Sequence, residues 1–368
     1  MLLFACDSLT DLTIHSGVGD LLLDLVLTRC RNLVSFQYLH SGFYHANNNQ
    51  HHEKLAPYHG PKLQKLILDV PLSAAKVVSI LSCSPNLRQL HLRSSAMQYG
   101  YFDSILRFIH IFHPHMSHLR LFGARPSSSS SFLSTHIPFP PLGLAKDGLR
   151  ELWLIGADEG SSQHMLPIIQ QHHRTIENLH IRSPITPGVM SCLALHANWP
   201  ALTELCIQLT HYSPAASDLC NVVRRASRLS RIQLSSITPT NTISDSVLDA
   251  MGPSVRSLRL QQGYNLVSGV VTPAGLIRFI KRAASLEMLQ LPNVQAVTDD
   301  VLNALQKHDS TLHTLDVYGN EQISGDGLCR LADSNSQLVW LNLGQCPFVT
   351  EDSIRHVRAK LPLAKVYD

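Results

Sequence analysis

The sequence predicts an α/β solenoid, parallel strands backed by helices, and three observations carry that prediction. A hydrophobic phrase, Leu-x-x-Leu-x-Leu, returns thirteen times along the 368 residues at a spacing of about 26. Its second and third apolar positions alternate with polar ones, the period-2 mark of a half-buried strand. A segment with helical spacing of apolar residues follows each of the cleaner copies. A fixed period of this size belongs to chains whose units cannot bury their own apolar face and must stack on their neighbours.

The chain opens abruptly. Leu2-Leu3-Phe4-Ala5-Cys6-Asp7-Ser8-Leu9 reads as the tail of a repeat helix running into a strand, without the polar cap that ends a solenoid. The expectation is that the chain continues something longer. The copies then begin at Leu9, Leu33, Leu63, Leu87, Met116, Leu149, Ile176, Leu202, Leu229, Val255, Leu286, Leu312 and Leu338, at intervals of about 24 to 33 residues. A partial copy, Leu363-x-x-Val366, closes the chain. The last three full copies, Leu286-x-x-Leu289-x-Leu291, Leu312-x-x-Leu315-x-Val317 and Leu338-x-x-Leu341-x-Leu343, lie 26 residues apart.

After Leu291, Thr298 is the expected helix N-cap. Asp299 and Asp300 suit the positive helix end, and Val301, Leu302 and Leu305 form the inward stripe. The same pattern reads Ile243-Ser244-Asp245-Ser246-Val247-Leu248, Ile323-Ser324-Gly325-Asp326-Gly327-Leu328 and Val349-Thr350-Glu351-Asp352-Ser353-Ile354. Strand, turn and helix in alternation give parallel strands on an inner, concave wall and helices on an outer, convex one. Burying each leucine contributes about 1.5–3 kcal/mol before the entropy of ordering it.

Two stretches break the period and are expected to loop off the solenoid. Residues 45–61 contain Ala46-Asn47-Asn48-Asn49-Gln50-His51-His52. Residues 123–148 contain Arg125-Pro126, a run of five serines and Pro138-Phe139-Pro140-Pro141, a candidate regulatory or docking segment.

These residues resemble the leucine-rich repeats of the ribonuclease-inhibitor-like class, and more narrowly the cysteine-containing repeats of F-box proteins. That variety reads Leu-x-x-Leu-x-Leu-x-x-Cys, then Ile-Thr-Asp-x-Gly-Leu, then a helix. Leu341-Asn342-Leu343-Gly344-Gln345-Cys346 matches the first part with its cysteine in register, and Val297-Thr298-Asp299-Asp300-Val301-Leu302 matches the second without its glycine. The resemblance covers nearly the whole chain and is specific in the last third. It implies one horseshoe-shaped solenoid of about thirteen repeats over 1–368. It also implies a non-enzymatic role as the substrate-receptor part of an SCF-type ubiquitin ligase. The cullin-ligase adaptor would then be reached through an upstream F-box that this chain lacks. The alternative is a scaffold or regulator resembling the Ran-type GTPase activators. Those favour longer repeats and an acidic tail, whereas this chain ends Ala364-Lys365-Val366-Tyr367-Asp368.

Composition narrows the field. A formal charge of +3 makes no electrostatic case for nucleic acid or membrane, although the 21 histidines would make the surface more basic on acidification. The eight cysteines form no Cys-x-x-Cys pair, and Cys6, Cys30 and Cys83 sit at packing positions just before a repeat leucine. There is no glycosylation sequon, no signal peptide, and no apolar run long enough to span a bilayer, since Asp24 interrupts Leu21 to Leu27. The expectation is a reduced, intracellular protein of the cytoplasm or nucleus. Gly17-Val18-Gly19 is too short for a nucleotide fingerprint, and no phosphate loop occurs. His113-Pro114-His115 with His118, and His172-His173, lack a carboxylate or cysteine at ligand spacing and read as solvated surface rather than metal ligands. No catalytic residue, cofactor or metal is expected.

The candidate site is the concave wall. Arg93, Arg120, Arg182, Arg231 and Arg259 alternate with buried leucines, flanked by His91, His118 and His180 and opposed by Glu151 and Glu204. Phe122, Trp153, Tyr318 and Trp340 supply aromatic anchors of the kind enriched in binding hot spots. The expected partner is a protein presenting acidic or phosphorylated groups.

Overall fold

The structure is a computed structural model. It describes residues 8–15, 20–39, 60–70, 72–94, 101–123, 148–156, 161–182, 185, 187–195, 198–209, 216–236, 243–262, 271–306 and 311–368. The bodies of both expected insertions, 45–59 and 124–147, and Cys6 lie outside the described residues. The chain divides into two compact units, Met1–Ser183 and Pro184–Asp368.

In the first unit the elements follow the repeat: β1 (Asp11–His15), α1 (Asp20–Arg29), β2 (Ser35–Leu39), β3 (Lys65–Asp69), α2 (Ala74–Ser82), β4 (Gln89–Ser94), α3 (Tyr101–Phe112), β5 (His118–Gly123), β6 (Glu151–Ile155), α4 (Ser161–His172) and β7 (Asn178–Arg182). The strands pair in parallel, each with the next in sequence. Register places Phe36, Leu66, Leu90, Leu119, Leu152 and Leu179 side by side, and Tyr38, Leu68, Leu92, Leu121, Leu154 and Ile181 beside them in a second row. Both rows are buried, with Val77, Ile80 and Leu81 of α2 and Ile105, Leu106 and Ile109 of α3 packed behind. Lys76 of α2, also buried, carries its charge to Asp24 of α1 at 3.1 Å.

Two histidines depart from the expected solvated surface. His113 and His172 are both buried, because each follows or ends a helix where backbone groups need partners. His113 Nε2 lies 3.1 Å from Leu81 O, and His172 Nδ1 accepts a hydrogen bond from Leu149 N at 3.1 Å. His115, by contrast, is exposed.

The second unit contains α5 (Pro187–Leu195), β8 (Glu204–Leu209), α6 (Ala216–Arg225), β9 (Arg231–Ser236), α7 (Asp245–Ala250), β10 (Ser257–Gln262), α8 (Pro273–Arg282), β11 (Met288–Gln290), α9 (Asp299–Leu305), β12 (Thr314–Asp316), α10 (Gly325–Ser334), β13 (Trp340–Asn342), α11 (Glu351–Lys360) and β14 (Lys365–Tyr367). Parallel pairing sets Leu205, Ile232, Leu258, Leu289, Leu315, Leu341 and Val366 in one row. Among the described residues, no helix of either unit is long and apolar enough to cross a membrane.

The cleanest repeats show why their motif reads as it does. Asn293, Gly319 and Gln345 occupy the same turn of three successive repeats, with φ of 57°, 68° and 58°. This left-handed bend aims Asn293 N at Tyr318 O and Gly319 N at Gly344 O, carrying the ladder past the end of the strand. One residue later, Asn320 Nδ2 donates to Leu291 O at 2.9 Å and to Val317 O at 2.8 Å. Cys346 holds the equivalent place and donates its thiol to Val317 O of the repeat before it. The motif cysteine is thus a buried donor to an inter-repeat carbonyl.

The Ser/Thr-Asp-x-Gly segment works across repeats as well. Ser324 caps α10 through Gly327 N, while its hydroxyl and backbone N–H both donate to Asp299 at the start of α9, at 2.5 and 2.9 Å. Thr272 repeats the arrangement with Asp245 of α7, at 2.6 and 2.8 Å. A Cβ at Gly327 would come within 2.3 Å of Asp299 Oδ1, so the motif glycine makes room for the neighbour's carboxylate. Thr298 stands at the N-cap of α9 as expected, but its buried hydroxyl makes no hydrogen bond: it caps no N–H of α9, and α8, which begins Pro273-Ala274, offers it no carboxylate.

Gln345 is a non-glycine residue held in the left-handed region, a conformation costing about 1–2 kcal/mol for an L side chain. Glycine removes that strain but loses more chain entropy on folding, by about 0.5–1 kcal/mol. Gln345→Gly should therefore raise stability in urea unfolding by up to about 1 kcal/mol, whereas Gly319→Ala should lower it.

His172 gives a pH dependence with a definite sign. Burial, aided by His110, holds its pKa down to about 4, so the fold carries the neutral imidazole that Leu149 N–H requires. In the unfolded chain the group titrates near 6.5. The stability it contributes is present above about pH 6.5 and is lost as pH falls toward 4, by about 3 kcal/mol in all. Urea unfolding at about pH 7.5 and pH 4.5 should show this loss, and His172→Gln should reduce it.

Candidate partner-binding face

On each strand the residues between the buried rows project to the opposite side of the sheet. In the first unit register aligns Ile67, His91, Arg120, Trp153 and His180 in one row, and Asp69, Arg93, Phe122, Ile155 and Arg182 in the next. Trp153 stacks on His180, with ring centroids 4.1 Å apart and planes at 16°. Phe122 bridges from Trp153 at 5.9 Å to His91 at 4.9 Å, so four rings cross β4 to β7 as a strip. The Arg120 guanidinium lies 4.5 Å from the centre of the Trp153 ring while its Nε donates to Glu151 Oε1 at 2.6 Å. Glu151 is almost wholly buried, and His118 approaches its other oxygen at 4.0 Å. Burial and the Arg120 charge hold the His91 pKa below the usual histidine range. The Trp153 indole N–H is buried without a partner.

The predicted residues of this unit are brought together, but not as a row of open cations. Arg120 is bound to Glu151. Arg93 is 68% exposed and only 3.9 Å from Asp69, a loose contact that leaves its guanidinium accessible. Arg182 stands beside Ile155 at the end of the row. Asp69 belongs to the face and was missed. Alternation continued two residues past Ile67 would have found it.

In the second unit Arg231 is paired with Glu204, through Nη2 at 2.6 Å and Nε at 2.8 Å. Among the described residues Arg259 has no carboxylate within hydrogen-bond distance: Nη1 rests on Gln290 Oε1 at 3.5 Å and Nη2 on Gln261 Oε1 at 3.4 Å. Both arginines line a cavity of about 790 Å³ over β8 to β12, together with Ser257, Met288, Gln290 and Thr314. Arg256 and Glu287, paired at 3.2 Å, complete its rim. Tyr318 and Trp340 are not part of that lining. Tyr318 follows β12 and covers Gly344, whereas Trp340 packs on Tyr367 at 5.7 Å. Asp316, missed in the sequence, shares the Arg259 row, and burial pushes its carboxyl pKa up.

No protein-family model and no curated protein sequence matches the chain. Among solved structures it is similar to that of the Rad7 and Elc1 complex in yeast, with a TM-score of 0.58, 16% identity, and coverage of 83% of this chain and 75% of that one. Looser superpositions involve the TLR13–ssRNA13 complex (TM-score 0.44, 14% identity, 93% of this chain and 50% of that). They also include LegL7, a leucine-rich repeat-containing protein from Legionella pneumophila (0.35, 11%, 83% and 82%). At 16% identity the likeness to the Rad7 and Elc1 complex shows the fold alone, which with the parallel strands and alternating helices is an α/β leucine-rich-repeat solenoid.

The two carboxylates opposing the arginines should differ in worth. Removing buried Glu151 strands Arg120 beside a ring face, so Glu151→Ala should lower unfolding free energy by about 1–3 kcal/mol. Arg231 is more than half exposed, so Glu204→Ala should cost under about 1 kcal/mol. Equal losses in urea denaturation would contradict this account of the face.

Proposed function

We propose that the chain is a protein-recognition module, the substrate-receptor part of an F-box-type ubiquitin ligase, holding its substrate against the strand face. The observation that carries this reading is the strip of His91, Phe122, Trp153 and His180 over four adjacent strands. Aromatic groups of this kind supply contact area at low cost in side-chain entropy and dominate binding hot spots. The leucine rows behind them hold the fold, so the face can be built for a partner without weakening the core. Arg93, exposed and loosely held, suits an acidic or phosphorylated group at the edge of the strip. The similar fold of Rad7, which forms a complex with Elc1, supports a scaffold that works by engaging other proteins. The narrower ligase assignment rests on the resemblance of the last repeats to those of F-box proteins.

Site-specific photo-crosslinking tests the reading with the full chain. A crosslinker at Arg93 should capture a partner that a crosslinker at helix residue Arg278 does not. The Phe122→Ser/Trp153→Ser variant should bind that partner at least about 30-fold more weakly, with folding retained. Undiminished binding by the double variant would sink the assignment of the strip. A purified Skp-type adaptor should bind when an F-box is fused ahead of the repeats and should not bind this chain as given. Tight binding without the F-box would move the adaptor contact into the repeats.

A further inference from the structure

We infer that the cavity over β8 to β12 is a carboxylate pocket, in which Arg259 reads one Asp, Glu or C-terminal carboxylate of a bound peptide. The inference rests on the strand face being a recognition surface and adds what one part of it selects.

Charge is the first argument. Arg231, Arg256 and Arg259 line the cavity with Glu204 and Glu287. Glu204 holds Arg231 at 2.6 Å and Glu287 holds Arg256 at 3.2 Å, whereas Arg259 is in no ion pair and meets a carboxylate charge only at a distance, that of Asp316. A single positive charge matches a carboxylate. A phosphate group carrying about −1.5 to −2 at neutral pH would leave an excess of negative charge beside both glutamates.

Geometry is the second. The guanidinium contacts to Gln290 and Gln261, at 3.5 and 3.4 Å, are at the weak end of hydrogen bonding, and Arg259 Nε is buried with no partner at all. Asp316 shares the row two strands away, about 10 Å distant at ordinary strand spacing, and its Oδ1 already accepts from Tyr318 N. A carboxylate entering the cavity would exchange two poor amide contacts for a two-pronged charge-assisted pair. Gln290, which lines the cavity, turns its carbonyl oxygen toward the arginine, which leaves its amide N–H groups as further donors. Met288 offers an apolar contact beside the charge, and Ser257 and Thr314 offer hydroxyls. The site therefore fits an acidic residue next to an apolar one.

Selection from a displayed pool of randomised short peptides, run in parallel on the whole chain and on Arg259→Gln, tests this directly. The wild-type chain should enrich peptides with an acidic residue or a free C-terminus at one fixed position. Amidating that carboxylate, or Arg259→Gln, should weaken binding about 10- to 100-fold, and phosphoserine in its place should not restore it. Acetate should compete with the peptide, and chloride at equal ionic strength should not, a readout that needs no variant. Enriched peptides without an acidic position, or equal binding by Arg259→Gln, would overturn the carboxylate pocket and leave the recognition surface standing. Enrichment by phosphoserine would assign the cavity to phosphate instead. A chain that enriches nothing would remove both readings.

Discussion

The parallel register of the leucine rows is the constraint from which the rest of each unit follows. Because Leu66, Leu90, Leu119, Leu152 and Leu179 are direct partners, every residue one step away is committed to the opposite side of the sheet. A slip of one residue would turn an arginine into the core and a leucine out of it, which costs far more than the face could return. Register thus sets the composition of the core and, by the same stroke, lines up Arg120 with Trp153 and His180. The helix layer obeys the same spacing. The carboxylate at the start of one helix reaches the cap of the next only because both repeats advance by the same step.

Much of this was visible in the chain itself. The repeated phrase placed the strands, and the Thr-Asp and Ser-Gly-Asp segments marked where helices begin. What escaped was any relation running diagonally between repeats. Arg120 is paired in register with Trp153, yet its charge goes to Glu151, which is paired with His118. A count of arginines and glutamates along strands records an excess of cation and misses that the acids are placed to consume it. The histidines failed for a related reason. A His at the end of a helix looks solvated in sequence, and only the packing of the preceding strand's entry, Leu149 onto His172, shows that its ring is a backbone acceptor.

The two faces described here therefore differ in kind. Over β4 to β7 the charges are largely settled within the chain and flat aromatic area is what remains to offer. Over β8 to β12 two ion pairs frame one cation that has only amides to lean on. A ligand meeting the first surface would gain by excluding water, and one meeting the second would gain by supplying charge. Solution conditions separate these, since added salt weakens the second far more than the first.

The clasp between Ser324 and Asp299 has a bearing on how such a chain can change length. Its donor and acceptor belong to different repeats, so each repeat is half of two joints. Copying one complete repeat beside itself recreates both halves and leaves no polar group stranded. Excising a stretch that removes the acid but keeps the next cap strands a hydroxyl in the interior, the condition in which Thr298 already stands after Pro273-Ala274. Growth and shrinkage by whole repeats are thus permitted, while crossovers falling between an acid and its downstream cap are penalised. The joint, rather than the repeat, is the unit that recombination must respect.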